Sequence, residues 1–354
     1  MAFGRVLDIY AGDNPAGTQV GTATLMLQGE LYQLAGINHV TGEDSLHASA
    51  EVHRSNTMDR NVAEVKIMNL NSDTRKWLED PGKILRVDAG YTDEGFGTIF
   101  LGQIDYATST LIESDWVTTI NAYGFRARSM EFETLLTAVS YDPGTDLQTI
   151  LNGLGLILGV PVFGVNVSNI VPQGGFVDVG PMRKMFRRVE KILAAPGVNL
   201  GLYYDLAELR VFKAGQPDFQ IETLMWDLTS GLTSAKWVVH EVTAWRKEVK
   251  AARALQKAQA AYNKRKSPDG QTRAAQTVWY KKYADAEAKR ERVELHGLVN
   301  HIARPNCPVK VSHPALSTDG YMLLVADDIT YRLTNFGEDF DMAIHASRDA
   351  SGNV

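Results

Sequence analysis

Apolar and polar residues alternate most clearly between Val62 and Gly124, and this stretch predicts a strand, a short helix and three further strands. Val65 and Ile67 mark the first strand, with Leu70 less cleanly in phase. Ser72 or Asp73 is placed to cap the helical turn that carries Trp77 and Leu78, because a short side-chain oxygen accepts an N–H left unpaired at a helix start. Pro81-Gly82 ends that helix, since proline has no N–H to continue it. Ile84, Leu85 and Val87 open the second strand, which finishes in Ala89-Gly90-Tyr91, and the glycine-rich run Thr92 to Gly97 turns the chain. Ile99 to Ile104 is the third strand and Val117 to Tyr123 the fourth. β-branched and aromatic residues dominate all four, as a half-buried pleated surface favours.

The same reading extends to both sides. Val6 to Tyr10 is a strand, followed by a turn over Gly12 to Gly17 and a hairpin of Thr22 to Leu27 with Leu31 to Leu34 around Gln28-Gly29-Glu30. Ile37 to Asn56 shows no clear period. Thr134 to Val139 closes a first domain. Asp142-Pro143-Gly144-Thr145 then leads into a helix whose apolar face is Leu147, Ile150, Leu151, Leu154 and Leu158. After a strand over Val160 to Val167, a second helix spans about Pro181 to Ala194, with Met182, Met185, Phe186 and Val189 on its apolar face and Pro196-Gly197 as its stop. Leu200 to Tyr204 and Leu209 to Lys213 form a hairpin. Strands return over 216–245. Beyond 298 the expected strands are Leu298 to Ala303, Val309 to Ser312, Tyr321 to Val325, and a final hairpin of Ile329 to Asn335 with Phe340 to Ala346 about Gly337-Glu338-Asp339.

One stretch departs from this pattern. From about 246 to 292 the chain is rich in Ala, Lys, Arg, Glu and Gln, all good helix formers, and Ser267-Pro268-Asp269-Gly270 interrupts it. It predicts a helical hairpin with arms of roughly 20 residues, each on the order of 30 Å long, with Val249, Leu255 and Tyr262 facing Val278, Tyr283 and Val293. It holds 14 Lys and Arg against 5 Asp and Glu, a net +9, and leaves −15 on the remainder. Arg246, Lys250, Arg253, Lys257, Lys264, Arg265, Lys281, Lys282, Lys289 and Arg290 form a candidate partner-binding surface. Such a run is also the ordinary solvated face of a helix pair.

The whole chain has 354 residues and a net charge of −6, enough for two or three domains and too acidic for a general nucleic-acid coat. Cys307 is the single cysteine, which leaves no intrachain disulfide and no cysteine metal cluster, in keeping with a reducing compartment. No run of about 18 apolar residues predicts a spanning helix, and MAFGRVLDIY lacks an apolar signal core.

The candidate chemistry is thin. His47 and His53 lie six apart with no third ligand nearby and read as surface or half-buried histidines. Gly153 to Gly159 lacks the Lys-Ser/Thr of a phosphate loop and lies inside a helical pattern. Glu131 and Glu133 share a strand face but have no sugar cleft around them. Asp327-Asp328 and Glu338-Asp339-Asp341 read as acidic turns without calcium-loop spacing. The expectation is a non-enzyme with no catalytic residues, no metal and no cofactor.

The stretch from 60 to 125 resembles the first tube domain of bacteriophage baseplate hub proteins, the family of the Mu-like hub and the late control protein D type. The resemblance rests on an apolar strand ending in Asn69-Leu70, a short helix, a strand ending in Ala89-Gly90-Tyr91, and a strand with Phe100, Gly102 and Ile104. It returns more weakly at 145–215 and 298–347. It implies an α+β, mainly β fold: two tail-tube-like β-barrel domains, 1–140 and 216–354, flanking a small α/β domain, 141–215. The α-helical hairpin at 246–292 is then an insertion in the second barrel domain. It further implies a virion protein of the tail baseplate, assembled in the host cytoplasm. Its homotrimeric ring would join the six-fold tail tube, or its initiator, to the three-fold central spike, beside baseplate wedge or tape-measure proteins, with DNA passing through a pore. The acidic excess then predicts Asp and Glu on the pore wall, where like charge keeps DNA from sticking. A second reading is a nucleic-acid-binding or scaffold protein that uses the basic hairpin. A third is a tail-associated cell-wall hydrolase.

Overall fold

The computed structural model describes residues 4–13, 31–36, 46–56, 61–80, 82–124, 136–195, 198–206, 208–238, 292–316, 320–335 and 339–348. In chain order these give β1 (Arg5–Asp13), β2 (Leu31–Ala35), β3 (Ala48–Ser55), β4 (Val62–Met68), α1 (Ser72–Glu79), β5 (Lys83–Tyr91), β6 (Gly95–Ile112) and β7 (Asp115–Gly124). Next come β8 (Leu136–Tyr141), α2 (Leu147–Leu158), β9 (Val162–Gly164), β10 (Phe176–Pro181), α3 (Met182–Leu193), β11 (Leu200–Asp205) and β12 (Glu208–Lys213). The chain ends with β13 (Leu224–Asp227), β14 (Leu232–Val238), β15 (Arg292–Gly297), β16 (Pro308–Ser312), β17 (Met322–Thr334) and β18 (Phe340–Arg348). The fold is α+β and mainly β.

Thirteen strands join in a single sheet of order β14-β15-β18-β17-β3-β4-β7-β6-β5-β1-β2, with β16 paired to β17 and β13 to β16. The first and last parts of the chain meet at an antiparallel seam between β3 and β17, which runs from Ser49 opposite Thr334 to Ser55 opposite Asp328. One apolar core serves both parts: Val52, Val65, Ile120 and Phe100 share it with Trp226, Leu295, Ile329 and Ile344. Each strand gives alternate residues to that core. In β4, Ala63, Val65 and Ile67 point in, while Glu64, Lys66 and Met68 point out, as the period of two requires.

A smaller unit packs beside the sheet. Its strands pair as β8 with β10 and as β11-β12-β9. Its core of Leu147, Ile150, Leu151, Leu154, Met185, Phe186 and Val189 also takes in Ile84 and Leu101 from the large sheet. Val177 and Val179 on β10 are exposed, but their carbonyls do not form a bare edge. Arg188 donates to the Val177 carbonyl at 2.6 Å and Lys184 to that of Val179 at 3.3 Å, so α3 blunts the edge that another chain would otherwise use.

Several sequence expectations need correction. The cap of α1 is Asn71, whose side chain accepts from the Thr74 N–H at 2.7 Å; the helix itself starts at Ser72, so neither Ser72 nor Asp73 is free to cap it. Leu136–Tyr141 does not close the first domain: it pairs with β10, and Val139 lies in the core of the smaller unit. The third strand runs on to Ile112, because a bulge between Ile104 and Tyr106 shifts the alternation and lets the hairpin with β7 continue. The strand expected at Leu298–Ala303 is six residues earlier, in β15, where Val293 and Leu295 face inward. Val293 is therefore a sheet residue and not part of a helical arm. Asp327-Asp328 is not a turn but the bulge within one continuous strand, β17. Phe176–Pro181 is a strand that the pattern did not announce. The hairpin partner at Thr22–Leu27 and the segment 246–291 lie outside the described residues.

Candidate functional site

The residues that carried the family pattern are packing residues. Leu70, Ala89, Tyr91, Phe100 and Ile104 are all buried. Tyr91 meets Phe340 of β18 edge to face at 5.4 Å between ring centres, which ties the first part of the chain to the last. The glycines are dictated by close approach. Gly90 has φ +148° and lies against the Gly95 carbonyl and the Phe96 backbone. At Gly102 a Cβ would sit 2.1 Å from the Tyr123 carbonyl oxygen.

The densest polar cluster joins three segments that are distant in sequence. Arg54, the penultimate residue of β3, donates from Nε to Asp205 Oδ1 at 2.9 Å and from Nη2 to Oδ2 at 2.5 Å. Its Nη1 donates to the Ala303 carbonyl at 2.9 Å. Around this fork, Asn61 donates to the Tyr204 carbonyl at 2.7 Å, Tyr203 to the Pro305 carbonyl at 2.9 Å and Tyr331 to the Ala303 carbonyl at 3.2 Å. Burial alone would lower the guanidinium pKa, but the Asp205 carboxylate outweighs it and the pKa is raised. Burial raises the Tyr203 hydroxyl and pushes the Cys307 thiol up to about 11. A thiol held protonated in this way is not a nucleophile. The cluster clamps β11 of the smaller unit between the sheet and the 303–307 loop.

Beside it, a crevice is lined by Glu208, Arg210, Glu222, His301 and Arg304. Its cations are already paired: Arg210 with Glu208 at 2.9 Å and Asp218 at 3.2 Å, and Arg304 with Glu208 at 3.3 Å. Burial lowers the His301 pKa. Nothing here pairs a base with a nucleophile.

The solvent face of the large sheet is of mixed sign. Glu51, Glu64, Glu294, Asp328 and Asp341 alternate with Lys66, Lys236 and Arg332 along the cross-strand rows. His53 is on this face, half-buried, with Nδ1 3.1 Å from Thr330 Oγ1. His47 contributes its carbonyl to the Met68 N–H at 2.9 Å. Among the described residues, no group of three His, Cys, Asp or Glu is arranged to hold a metal ion, and no helix is long and apolar enough to cross a membrane. Gly153 and Gly155 lie within α2, and Gly159, at φ +69°, is its left-handed C-terminal cap, so this run is not a phosphate loop. Glu131, Glu133 and Glu338 lie outside the described residues, as do the ten basic candidates from Arg246 to Arg290. Their segment, however, leaves and re-enters the sheet at one place, because Val238 at the end of β14 is paired with Arg292 at the start of β15.

The Arg54–Asp205 cluster was not foreseen from the sequence. An arginine within a weakly apolar strand carries no signal of its burial, and its partner lies 151 residues away.

No family model and no curated protein matches the chain. Solved structures do. A tail protein from Neisseria meningitidis MC58 superposes with a TM-score of 0.56 at 10% identity, covering 98% of this chain and 97% of that one. The 43 kDa tail protein of prophage MuSo2 from Shewanella oneidensis gives 0.55 at 10% identity, with the same coverage of 98% and 97%. A chain of the Francisella PdpA–VgrG complex gives 0.52 at 8% identity, covering 99% of this chain and 59% of that one. This chain therefore shares the fold of these two tail proteins over 98% of its length.

Proposed function

We propose that this protein is a structural subunit of a phage tail: the baseplate hub, a homotrimer whose ring joins the six-fold tube to the three-fold central spike and leaves a pore for DNA. The observation that carries the reading is the end-to-end likeness to two phage tail proteins of nearly the same extent. Fold alone does not fix function. The site adds support by what it contains: packed motif residues, a buried clamp and paired charges, all suited to a rigid building block without a covalent step.

In this reading β1–β7 and β13–β18 are the two tube-like elements, held in register by the β3–β17 seam, and three chains supply six such elements to the ring. Closed cyclic symmetry is the usual solution for identical subunits. Among the described residues the solvent face of the sheet carries Glu51, Glu64, Glu294, Asp328 and Asp341 beside Lys66, Lys236 and Arg332, so a pore lined by that face would carry both signs. The basic segment 246–292 is the contact for a neighbouring tail protein, with the tube, spike, wedge and tape-measure proteins as its candidate partners.

Class averages of the purified protein by electron microscopy, taken with its solution mass, test this. The expected result is a three-chain ring with a hole of about 20 Å or more, wide enough for a duplex. A monomer that forms no ring alone or with a co-expressed spike protein overturns it.

A further inference from the structure

Beyond the bulge at Ile104, the β6–β7 hairpin leaves the sheet as a two-stranded ribbon. β5 pairs with β6 only over Gly95 to Gln103, whereas β7 follows β6 out to the closing pair Ile112–Asp115. Among the described residues, no strand pairs with the outer edge of β6 from Asp105 to Ile112. The hairpin closes in a two-residue turn, Glu113-Ser114, with Glu113 at φ +56°, and the closing pair of such a turn is hydrogen-bonded. Antiparallel pairs alternate between bonded and non-bonded positions. Counting back from Ile112, the even-numbered residues Tyr106, Thr108 and Thr110 direct their backbone groups at β7, and Ala107, Ser109 and Leu111 direct theirs outward.

The ribbon is also apolar where it is exposed. Tyr106, Leu111 and Ile112 are 51%, 53% and 55% exposed. Trp116, opposite Leu111, is exposed as well, with the Arg75 guanidinium of α1 over its ring at 3.9 Å. Strand edges are ordinarily blunted by a lysine, a proline or a covering side chain. β10 is blunted by Lys184 and Arg188, but Asp105 to Ile112 holds neither lysine nor proline. An apolar edge left open in this way marks an interaction surface.

What the edge accepts follows from its backbone and its charges. Outward N–H and C=O groups on alternate residues take an extended strand. The ribbon's own charges are Asp105, Glu113 and Asp115, and no Lys or Arg occurs between Arg86 and Arg126. Lys66, on the far side of β7, is already paired with Glu64 at 2.8 Å. A second copy adding the same edge antiparallel about Ser109 would set Asp105 against Glu113 at both ends, and like charges directly opposite are unfavourable. We infer that the outer edge of β6 from Asp105 to Ile112 docks an extended segment of another protein as an added strand, apolar or β-branched at its centre and flanked by Lys or Arg. The inference rests on the sheet register and is independent of the hub reading, because the edge is open in the single chain.

Binding of a fluorescent seven-residue probe to the full-length protein tests it, the probe alternating Val and Thr between terminal lysines. It should bind saturably, more weakly as salt is raised, and slow hydrogen exchange at the Ala107, Ser109 and Leu111 amides more than at Thr108 and Thr110. The same probe with glutamate at both ends should bind about three- to tenfold more weakly, the range for exposed charge pairs. Ser109→Pro removes one outward N–H at a position where a strand tolerates proline; it should leave thermal unfolding close to native and lose the probe. Leu111→Lys keeps every backbone group and places a cation on the edge, and it too should reject the lysine-ended probe. Absence of saturable binding, equal binding of the two probes, binding that survives both variants, or dimerisation of the chain through these amides overturns the proposal.

Discussion

Arg54 and Asp205 form a two-point ion pair with each side chain about 1% exposed, and this pair holds the smaller unit to the seam of the large sheet. A buried charge that loses its partner keeps its desolvation penalty. Asp205→Ala should therefore cost about 3–5 kcal/mol in urea unfolding, and Arg54→Met a comparable amount. A double change to apolar residues of similar volume should recover much of that loss, because it removes both desolvation penalties together. Single variants of native stability would mean that water reaches the pair and that the clamp is not what joins the two units.

The sequence foreshadowed the fold unevenly, for physical reasons visible in particular strands. β4, β5 and the core part of β6 were legible because Val65 and Ile67 alternate with polar residues in β4, while Ile84-Leu85 and Ile99-Phe100-Leu101 are short apolar runs buried on both faces. β3 was not, because its inward positions include Ala48 and Ala50, too small to raise a periodic signal. The outer part of β6 was missed because the bulge after Ile104 changes the phase and its residues have little core to face. The seam and the clamp were illegible altogether: strand register between β3 and β17, 277 residues apart at His53 and Thr330, is a property of the folded sheet. Of the candidate site, the motif residues Leu70, Ala89, Tyr91, Phe100 and Ile104 are buried, while the basic candidates fall outside the described residues.

The helix-start correction makes a local prediction. The Asn71 side chain satisfies the Thr74 N–H, so Asn71→Ala should destabilise by about 1 kcal/mol, with Ser or Asp in its place largely restoring stability. Ser72→Ala, one residue inside the helix, should change little. Equal losses at both positions in thermal unfolding would place the cap at Ser72 after all.

Gly102 tests whether the family-pattern glycines are steric requirements. A methyl group there would sit 2.1 Å from the Tyr123 carbonyl oxygen and 2.6 Å from Phe100 Cζ, and the carbonyl belongs to the paired strand β7. Gly102→Ala should cost about 1–3 kcal/mol, as overpacking does, read as a lower denaturant midpoint. A neutral outcome would show that β6 and β7 can separate locally at little cost.

Asp227 predicts a pH dependence. Its carboxylate accepts from the Thr229 hydroxyl at 2.6 Å, from the Tyr321 hydroxyl at 2.8 Å and from the Thr229 and Ser230 N–H groups at 2.8 Å each. The Thr229 hydroxyl is the largest of the influences that lower its pKa, followed by Tyr321. A lowered carboxylate contributes stability that is complete above its ordinary range and is lost as pH falls through the folded-state value. Asp227→Ala should therefore melt below the native protein at pH 7, with the gap narrowing toward pH 2. A gap that stays constant with pH would assign the effect to lost neutral hydrogen bonds.

The last prediction concerns the basic segment. Because Val238 and Arg292 are partners in the β14–β15 register, an excision between them removes sequence without separating the strands that flank it, and loop length itself carries only a small entropic cost. Deletion of 247–291 should accordingly leave the sheet, its core and the proposed ring intact, as judged by far-ultraviolet circular dichroism and by class averages. It should also remove a net +7 of the +9 carried by 246–292, against −15 elsewhere. If that charge serves a neighbouring tail protein, the deleted chain should still form rings but fail to co-purify with tail partners that the full chain retains. If it serves nucleic acid instead, the full chain should bind duplex DNA with an affinity that falls steeply with salt, and the deletion should abolish that binding. A deleted protein that assembles into complete tails would show that the segment is dispensable to the particle.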